Sequence, residues 1–317
     1  MLSVQLAKRM MQLREVFPLA PTGEQVGELQ EIFDHPRFTQ GSEKERRAMM
    51  QASALAKYQS EMEYPWDHYF GMDLRPWLEG KRALDLGCFN GGRGVAWAER
   101  YGLAQLLGVD VAEPYIAAAS EFAASRGVPA RFQLARGELL PFDDASVDAV
   151  LSFDVMEHVQ DVPGTLAECR RVLRPGGQLF LVFPSYYQPN EHHLSMVTRL
   201  PGVQYVFSAR TLLKAYCEIL DERGRSADWY RRPVQLQSWE RGNAINGTTL
   251  AQFRRHVRDT DWVTLRHIRK PIGSIGRNAS KSRLAKGMSA LFYPLAWIPG
   301  LEEIFLHRIS YILQKPA

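Results

Sequence analysis

The residues Asp85, Leu86, Gly87, Cys88, Phe89, Asn90, Gly91 and Gly92 close a short apolar run that begins at Ala83 and lead into a segment with helical spacing. A loop of small residues at the carboxyl end of a strand lets the backbone come close to a ligand, which bulky side chains prevent. Asp85 can bind a cationic amino group there, directly or through water. About twenty-five residues later a second apolar run ends at Asp110, where a carboxylate can accept both hydroxyls of an adenosine ribose. A dinucleotide site instead spaces its glycines as G-x-G-x-x-G, so that a pyrophosphate rests on the helix N-terminus. Phe89 occupies the second glycine of that pattern, and an acidic side chain in the turn repels a pyrophosphate. The half-site from Ala83 to Asp110 therefore reads as nucleotide-binding without a dinucleotide.

Such a loop needs strands and helices to hold it. Apolar runs at Ala83–Leu86, Leu106–Val109, Arg131–Leu134, Val147–Phe153 and Leu179–Phe183 read as buried strands. Between them, Arg93–Tyr101, Pro114–Ser125 and Pro163–Leu173 carry apolar residues at helical spacing, and Gly102, Gly127 and Gly176 stand where helix ends want glycine. This alternation predicts a doubly wound parallel sheet. Further on, Ser208 is placed to cap a helix reaching about Leu220, and Thr249 one reaching Arg258. Trp262–Ile268 and Arg308–Leu313 read as two late strands. Upstream, the aromatic residues Tyr58, Tyr64, Trp66, Tyr69, Phe70 and Trp77 demand a surface to pack against.

From about Lys81 to Pro184 the sequence resembles the class I S-adenosylmethionine-dependent methyltransferases. The run Ala83–Gly92 resembles their first motif, with Phe89 in place of a glycine, and Asp110 the acidic residue of the next. Leu140–Asp143 with Val147–Val150 is similar to their fourth-strand entry, Glu157, His158 and Val159 to the helix start that follows, and Leu173–Gly177 to the turn before the fifth strand. The resemblance implies an α/β fold, a doubly wound and mostly parallel seven-stranded sheet. It also implies an N-terminal helical cap (1–80), a cofactor-binding core (81–184), a substrate lid (185–247) and a closing portion (248–317) that carries a second insertion at 273–301. It implies S-adenosyl-L-methionine as cofactor, bound by Asp85, Gly87, Cys88, Phe89, Asn90, Gly91, Asp110, Val111, Gly137, Glu138 and Phe153, with Tyr64 closing over the methionine end. Arg136 stands where the family often carries an aspartate.

The cofactor brings its own activation, so the protein must align a nucleophile and remove its proton. His192 and His193 follow the fifth strand in the segment that covers the acceptor in this family, and imidazole has a suitable pKa. They lead the candidates for the base, with His158 as a third that can equally serve to hold a loop. Tyr186 and Tyr187 can shape the acceptor pocket. No Asn or Asp followed by Pro-Pro-Tyr comes after the fourth strand, and no Pro-Cys pair offers a nucleophile for cytosine carbon, which argues against nucleic-acid bases. No carboxylate set calls for a metal. The expected reaction is methyl transfer to oxygen or nitrogen of a small molecule, such as a natural product, sugar or lipid-linked intermediate. A catalytically silent S-adenosylmethionine-binding scaffold and, behind it, a dinucleotide enzyme are the alternatives.

Composition sets the frame. The 317 residues are 45% hydrophobic and 23% charged with net charge +4, enough to bury a substantial core. Charge is uneven, since Asp221–Lys286 carries fifteen Lys or Arg against six Asp or Glu. That basic stretch reads as a solvated face or as a surface for an anionic partner, an anionic or lipid-linked acceptor or a membrane surface met peripherally. No run is long and apolar enough to span a bilayer, the first seventeen residues do not form a signal peptide, and three scattered cysteines suggest neither disulfides nor zinc. A cytoplasmic location is the resulting expectation, with the oligomeric state unread.

Overall fold

The computed structural model describes residues 2–16, 41–189, 191–194, 197–198, 200–223, 245–274 and 283–317. Parts of both expected insertions, 224–244 and 275–282, lie outside them. In chain order the amino-terminal elements are α1 (Leu2–Val16), α2 (Glu43–Glu63), α3 (Asp67–Phe70) and α4 (Arg75–Leu78). Then come β1 (Arg82–Leu86), α5 (Gly92–Tyr101), β2 (Gln105–Asp110), α6 (Glu113–Arg126), β3 (Ala130–Leu134), β4 (Val147–Phe153), α7 (Val162–Val172) and β5 (Leu173–Phe183). The chain continues through α8 (Val203–Val206), α9 (Ala209–Glu222), α10 (Leu250–Asp259), β6 (Val263–Pro271), α11 (Arg283–Leu295), α12 (Glu302–Phe305) and β7 (Leu306–Gln314). By contacts these fall into two compact units, Met50–Tyr186 with Thr248–Ala317, and Met1–Met49 with Tyr187–Gly247.

The larger unit is built on one seven-stranded sheet of order β3-β2-β1-β4-β5-β7-β6. The first five strands are mutually parallel, and β7 runs antiparallel to both β5 and β6. The doubly wound, mostly parallel sheet expected from the sequence is therefore present. Successive side chains of a strand point to opposite faces, and here both faces are covered. Leu84, Leu86, Val150, Leu179 and Leu181 join one apolar core with α7 and α10. Ala83, Ala149, Leu151, Phe153, Phe180 and Val182 join the other with α5, α6 and the amino-terminal aromatics. Trp66 stacks on Trp97 with centroids 4.4 Å apart and lies edge-on to Phe70, which answers what the aromatic cluster packs against.

One local detail differs from expectation. Gly102 and Gly127 do end α5 and α6 in the left-handed region, at φ 68° each, and donate back to the last turn. Gly176 does not cap α7, which ends at Val172. It lies in a bulge of β5, where Val147 pairs with Leu173 but Ala149 already pairs with Gln178. Glycine signals both a helix end and a strand irregularity, and only the pairing of β4 with β5 separates the two.

The smaller unit has its own core, in which Ala7 and Met11 of α1 meet Leu212, Leu213, Tyr216 and Ile219 of α9, with Leu194, Val197 and Val203. Lys8 pairs with Glu218 at 3.3 Å and with Glu222. Ser208 caps α9 by accepting from the Thr211 N–H, and in the larger unit Thr249 and Gln252 form a capping box on α10.

Candidate functional site

In an open parallel sheet a ligand binds beyond the carboxyl ends of the strands, where the strand order reverses. Here the reversal lies between β1 and β4. The loop after β1 reaches back to β2, the N–H groups of Gly87 and Cys88 both donating to the Val109 carbonyl at 2.9 Å. It also meets the loop after β4, because a Cβ on Gly87 would lie 2.3 Å from the Val155 side chain. With φ at +74°, Gly87 is a position where glycine is required twice over.

Asp110 sits at the end of β2 and accepts from the Phe89 N–H at 2.9 Å and the Ala112 N–H at 3.1 Å. Burial raises its pKa, opposed by these backbone donors. Its two oxygens are oriented by amides and retain lone pairs for a diol. Val111, next to it, is exposed. Phe89 holds the left-handed conformation at φ +50° with its ring against Tyr115, centroids 4.2 Å apart. The family's usual glycine would be relaxed there.

Asp85 is almost fully buried and its Oδ2 has no hydrogen-bond partner among the described residues. Burial pushes its pKa up to about 7, with Arg93 pulling down and Asp110 and Glu61 pushing further up. Oδ2 lies under the first turn of α5, 2.5 Å from where a Gly94 Cβ would be. At 3% exposure its carboxylate offers almost no surface for direct contact with a ligand.

The remaining loop residues are tied to the scaffold. Asn90 donates to the Ser53 hydroxyl at 2.9 Å and accepts from the Gly92 N–H at 3.3 Å. A Cβ on Gly91 would lie 2.8 Å from the Ala119 Cα, and Cys88 is buried, its thiol pKa raised by burial. Gly137 is buried against Thr165, and Glu138 Oε1 accepts from the N–H groups of Gln160 at 2.7 Å and Asp161 at 3.1 Å, holding the loop after β4. Arg136 bonds Gln160 at 3.2 Å. Tyr64 stacks on His68, centroids 4.0 Å apart.

The structure adds charged groups that the sequence alone did not point to. Arg93, in the first turn of α5, lies 3.9 Å over the Phe153 ring, donates to the Phe153 carbonyl at 3.2 Å and pairs with Glu61 of α2 at 3.1 Å. Glu61 also accepts from Trp97 at 3.1 Å. Burial, and then Arg93, lower the Lys57 ammonium to about 8, while Asp154 and Glu61 act the other way. Asp154 follows β4 at φ +56° and pairs with Arg308 of β7 at 3.1 Å. A signal for α2 was present in retrospect, since Ser53, Lys57 and Glu61 recur every four residues on one helical face. What that face meets is not encoded locally.

Of the candidate bases, His158 belongs to the larger unit, is exposed, and lies 3.8 Å from Glu157. His192 and His193 belong to the smaller unit. His192 is buried, and its Nδ1 accepts from the Leu194 N–H at 3.1 Å, so the neutral ring carries its proton on Nε2. Burial lowers its pKa to about 4. His193 Nδ1 lies 2.9 Å from the Glu191 carbonyl and donates to it.

The donor set fits a zwitterionic nucleoside. Asp110 offers the carboxylate that a diol would need, Asp85 a carboxyl behind the glycine loop, and Arg93 a guanidinium in the first turn of α5 with the Lys57 ammonium near it.

Residues 84–181 match a family described as Methyltransferase domain. A ubiquinone biosynthesis O-methyltransferase of Sinorhizobium medicae (strain WSM419) is 39% identical over 115 residues, 36% of this chain and 46% of the relative. The chain thus spans about half the length of the curated relatives it matches at this level. The uncharacterized methyltransferase YcgJ of Bacillus subtilis (strain 168) is 28% identical over 214 residues, 60% of this chain and 79% of that one. A crystal structure of YcgJ aligns with a TM-score of 0.44 at 18% identity, over 76% of this chain and 94% of that chain.

Proposed function

With its 84–181 core a class I S-adenosylmethionine-dependent methyltransferase domain, we propose that this chain transfers a methyl group from S-adenosyl-L-methionine to an oxygen or nitrogen of a small molecule. The observation that carries the reading is the Asp110 carboxylate, fixed by the Phe89 and Ala112 amides at the end of β2 beside the glycine loop. The name of the Sinorhizobium relative supports an oxygen acceptor.

When bound, the cofactor supplies a methyl carbon made electrophilic by its sulfonium, so the transfer is an in-line displacement. Asp110 holds the ribose hydroxyls. Asp85 balances the ammonium of the methionine part from behind the loop, and Lys57 with Arg93 holds its carboxylate. Phe153, clamped by Arg93, closes the floor after β4. The acceptor's proton passes to a histidine. His192 and His193 of the smaller unit and His158 of the larger are the candidates. His158 lies 3.8 Å from Glu157.

Isothermal titration with S-adenosylhomocysteine tests the reading. Wild-type chain binds, and Asp110→Ala weakens binding about thirtyfold or more, as expected for two lost charge-assisted hydrogen bonds. Unchanged affinity in the variant removes the cofactor assignment.

A further inference from the structure

From Trp262 to Leu301, forty residues, the chain has seven Lys or Arg and no Asp or Glu. At the end of this stretch, α11 runs into a series of turns through Leu301. Ala296 N–H donates to Phe292, Trp297 to Pro294, Ile298 to Leu295 and Leu301 to Ile298. One side of the segment is fastened to the larger unit. Phe292 meets Phe305 with centroids 5.2 Å apart, and Ala296 is fully buried in the sheet's core. Arg269 of β6 lies 4.7 Å over the Trp297 ring and pairs with Glu302 at 3.0 Å. Leu291, Tyr293, Trp297, Ile298 and Leu301 are 43–64% exposed within eleven residues, and Lys286, one turn before them, is exposed too.

Large apolar side chains gathered at such density on a surface mark an interaction site. The occupant is fixed by three features together. The patch is aliphatic with one Trp and one Tyr, the pair that favours the membrane–water boundary. The forty residues that end at Leu301 carry basic side chains and no acidic ones, complementary to anionic headgroups. Among the described residues no helix is long and apolar enough to cross a membrane. We propose that the Leu291–Leu301 face docks in the plane of an anionic lipid surface, with Trp297, Ile298 and Leu291 entering the headgroup boundary and Lys286 contacting the headgroups.

The test is flotation of the full chain with vesicles of phosphatidylcholine alone or with phosphatidylglycerol added. Binding is expected to the mixed vesicles, to fall with added salt, and to drop about tenfold or more in the double variant Trp297→Ser, Ile298→Ser, which loses two inserted apolar side chains. Lys286→Glu should weaken it as well. Both variants lie away from the glycine loop, so S-adenosylhomocysteine affinity should stay at its wild-type value. Lys286→Glu, an exposed change, should keep the melting temperature as well, while the double variant loses the Trp297–Arg269 contact. Failure of the wild-type chain to bind mixed vesicles, or equal binding by the double variant, overturns the proposal. So does a wild-type dimer in sedimentation that the double variant dissociates, which would assign the face to a second copy of the chain.

Discussion

The Phe89 N–H donates to Asp110 Oδ2 at 2.9 Å, so the residue that departs from the family's first motif is fastened to the residue that ends the second strand. The bond holds Phe89 at φ +50°, a conformation that costs a side-chain-bearing residue about 1 kcal/mol more than glycine. The ring recovers part of this against Tyr115. Phe89→Ala keeps the strain and loses the ring, whereas Phe89→Gly loses both. Urea denaturation should find the glycine variant about 1 kcal/mol more stable than the alanine variant. Equal stabilities would mean that the loop carries no strain.

Asp85 makes the ligand-free chain sensitive to pH. Its folded pKa, about 7, lies above the ordinary value of 3.8, so the folded state holds the proton more tightly. The stability this contributes is fully present below pH 3.8 and is lost as pH rises through about 7. Glu303, buried and also raised to about 7, acts in the same direction, while His192, lowered to about 4, acts oppositely. The clean measure is therefore a difference. Melting temperature of Asp85→Asn minus that of wild type should grow from pH 4 to pH 7.5, and a difference independent of pH would show that Asp85 ionises normally.

Lys57 and Arg93 are assigned to the carboxylate of the methionine part. Methylthioadenosine shares the nucleoside and lacks that carboxylate. Lys57→Met should weaken S-adenosylhomocysteine about tenfold in titration calorimetry and leave methylthioadenosine unchanged. Equal losses for both ligands would show that Lys57 only supports the fold of α2.

Gly92 tests how α2 joins the core. A Cβ there would stand 2.1 Å from the Ala54 carbonyl oxygen, a backbone atom of α2 that has no flexible end to move aside. Gly92→Ala should cost about 2 kcal/mol or more in chemical denaturation, larger than the gain an alanine normally brings to a helix. Gly127→Ala, where nothing lies within 4 Å, is the comparison that separates overpacking from backbone strain.

Periodicity and turn chemistry are local, and what depends on them was legible in the residues. The seven strands stand where their apolar runs predict, with β4 matching at both ends, and Ser208 and Thr249 cap the helices that follow them. The half-site from Ala83 to Asp110 belongs here too, since a strand end, a small-residue loop and a second strand end are each written in a few neighbouring positions. Partner choice is not local, and the tertiary structure alone decided it. Asn90 lies in the glycine loop yet spends its amide on Ser53, and Gly91 and Gly92 make room for Ala119 and Ala54. Glu138 holds the backbone of Gln160 and Asp161. Lys57 and Glu61, some thirty residues upstream, come beside Arg93 only because α2 packs on α5. A side chain's type fixes which bonds it can make, and only the packing of distant elements fixes which of them it does make.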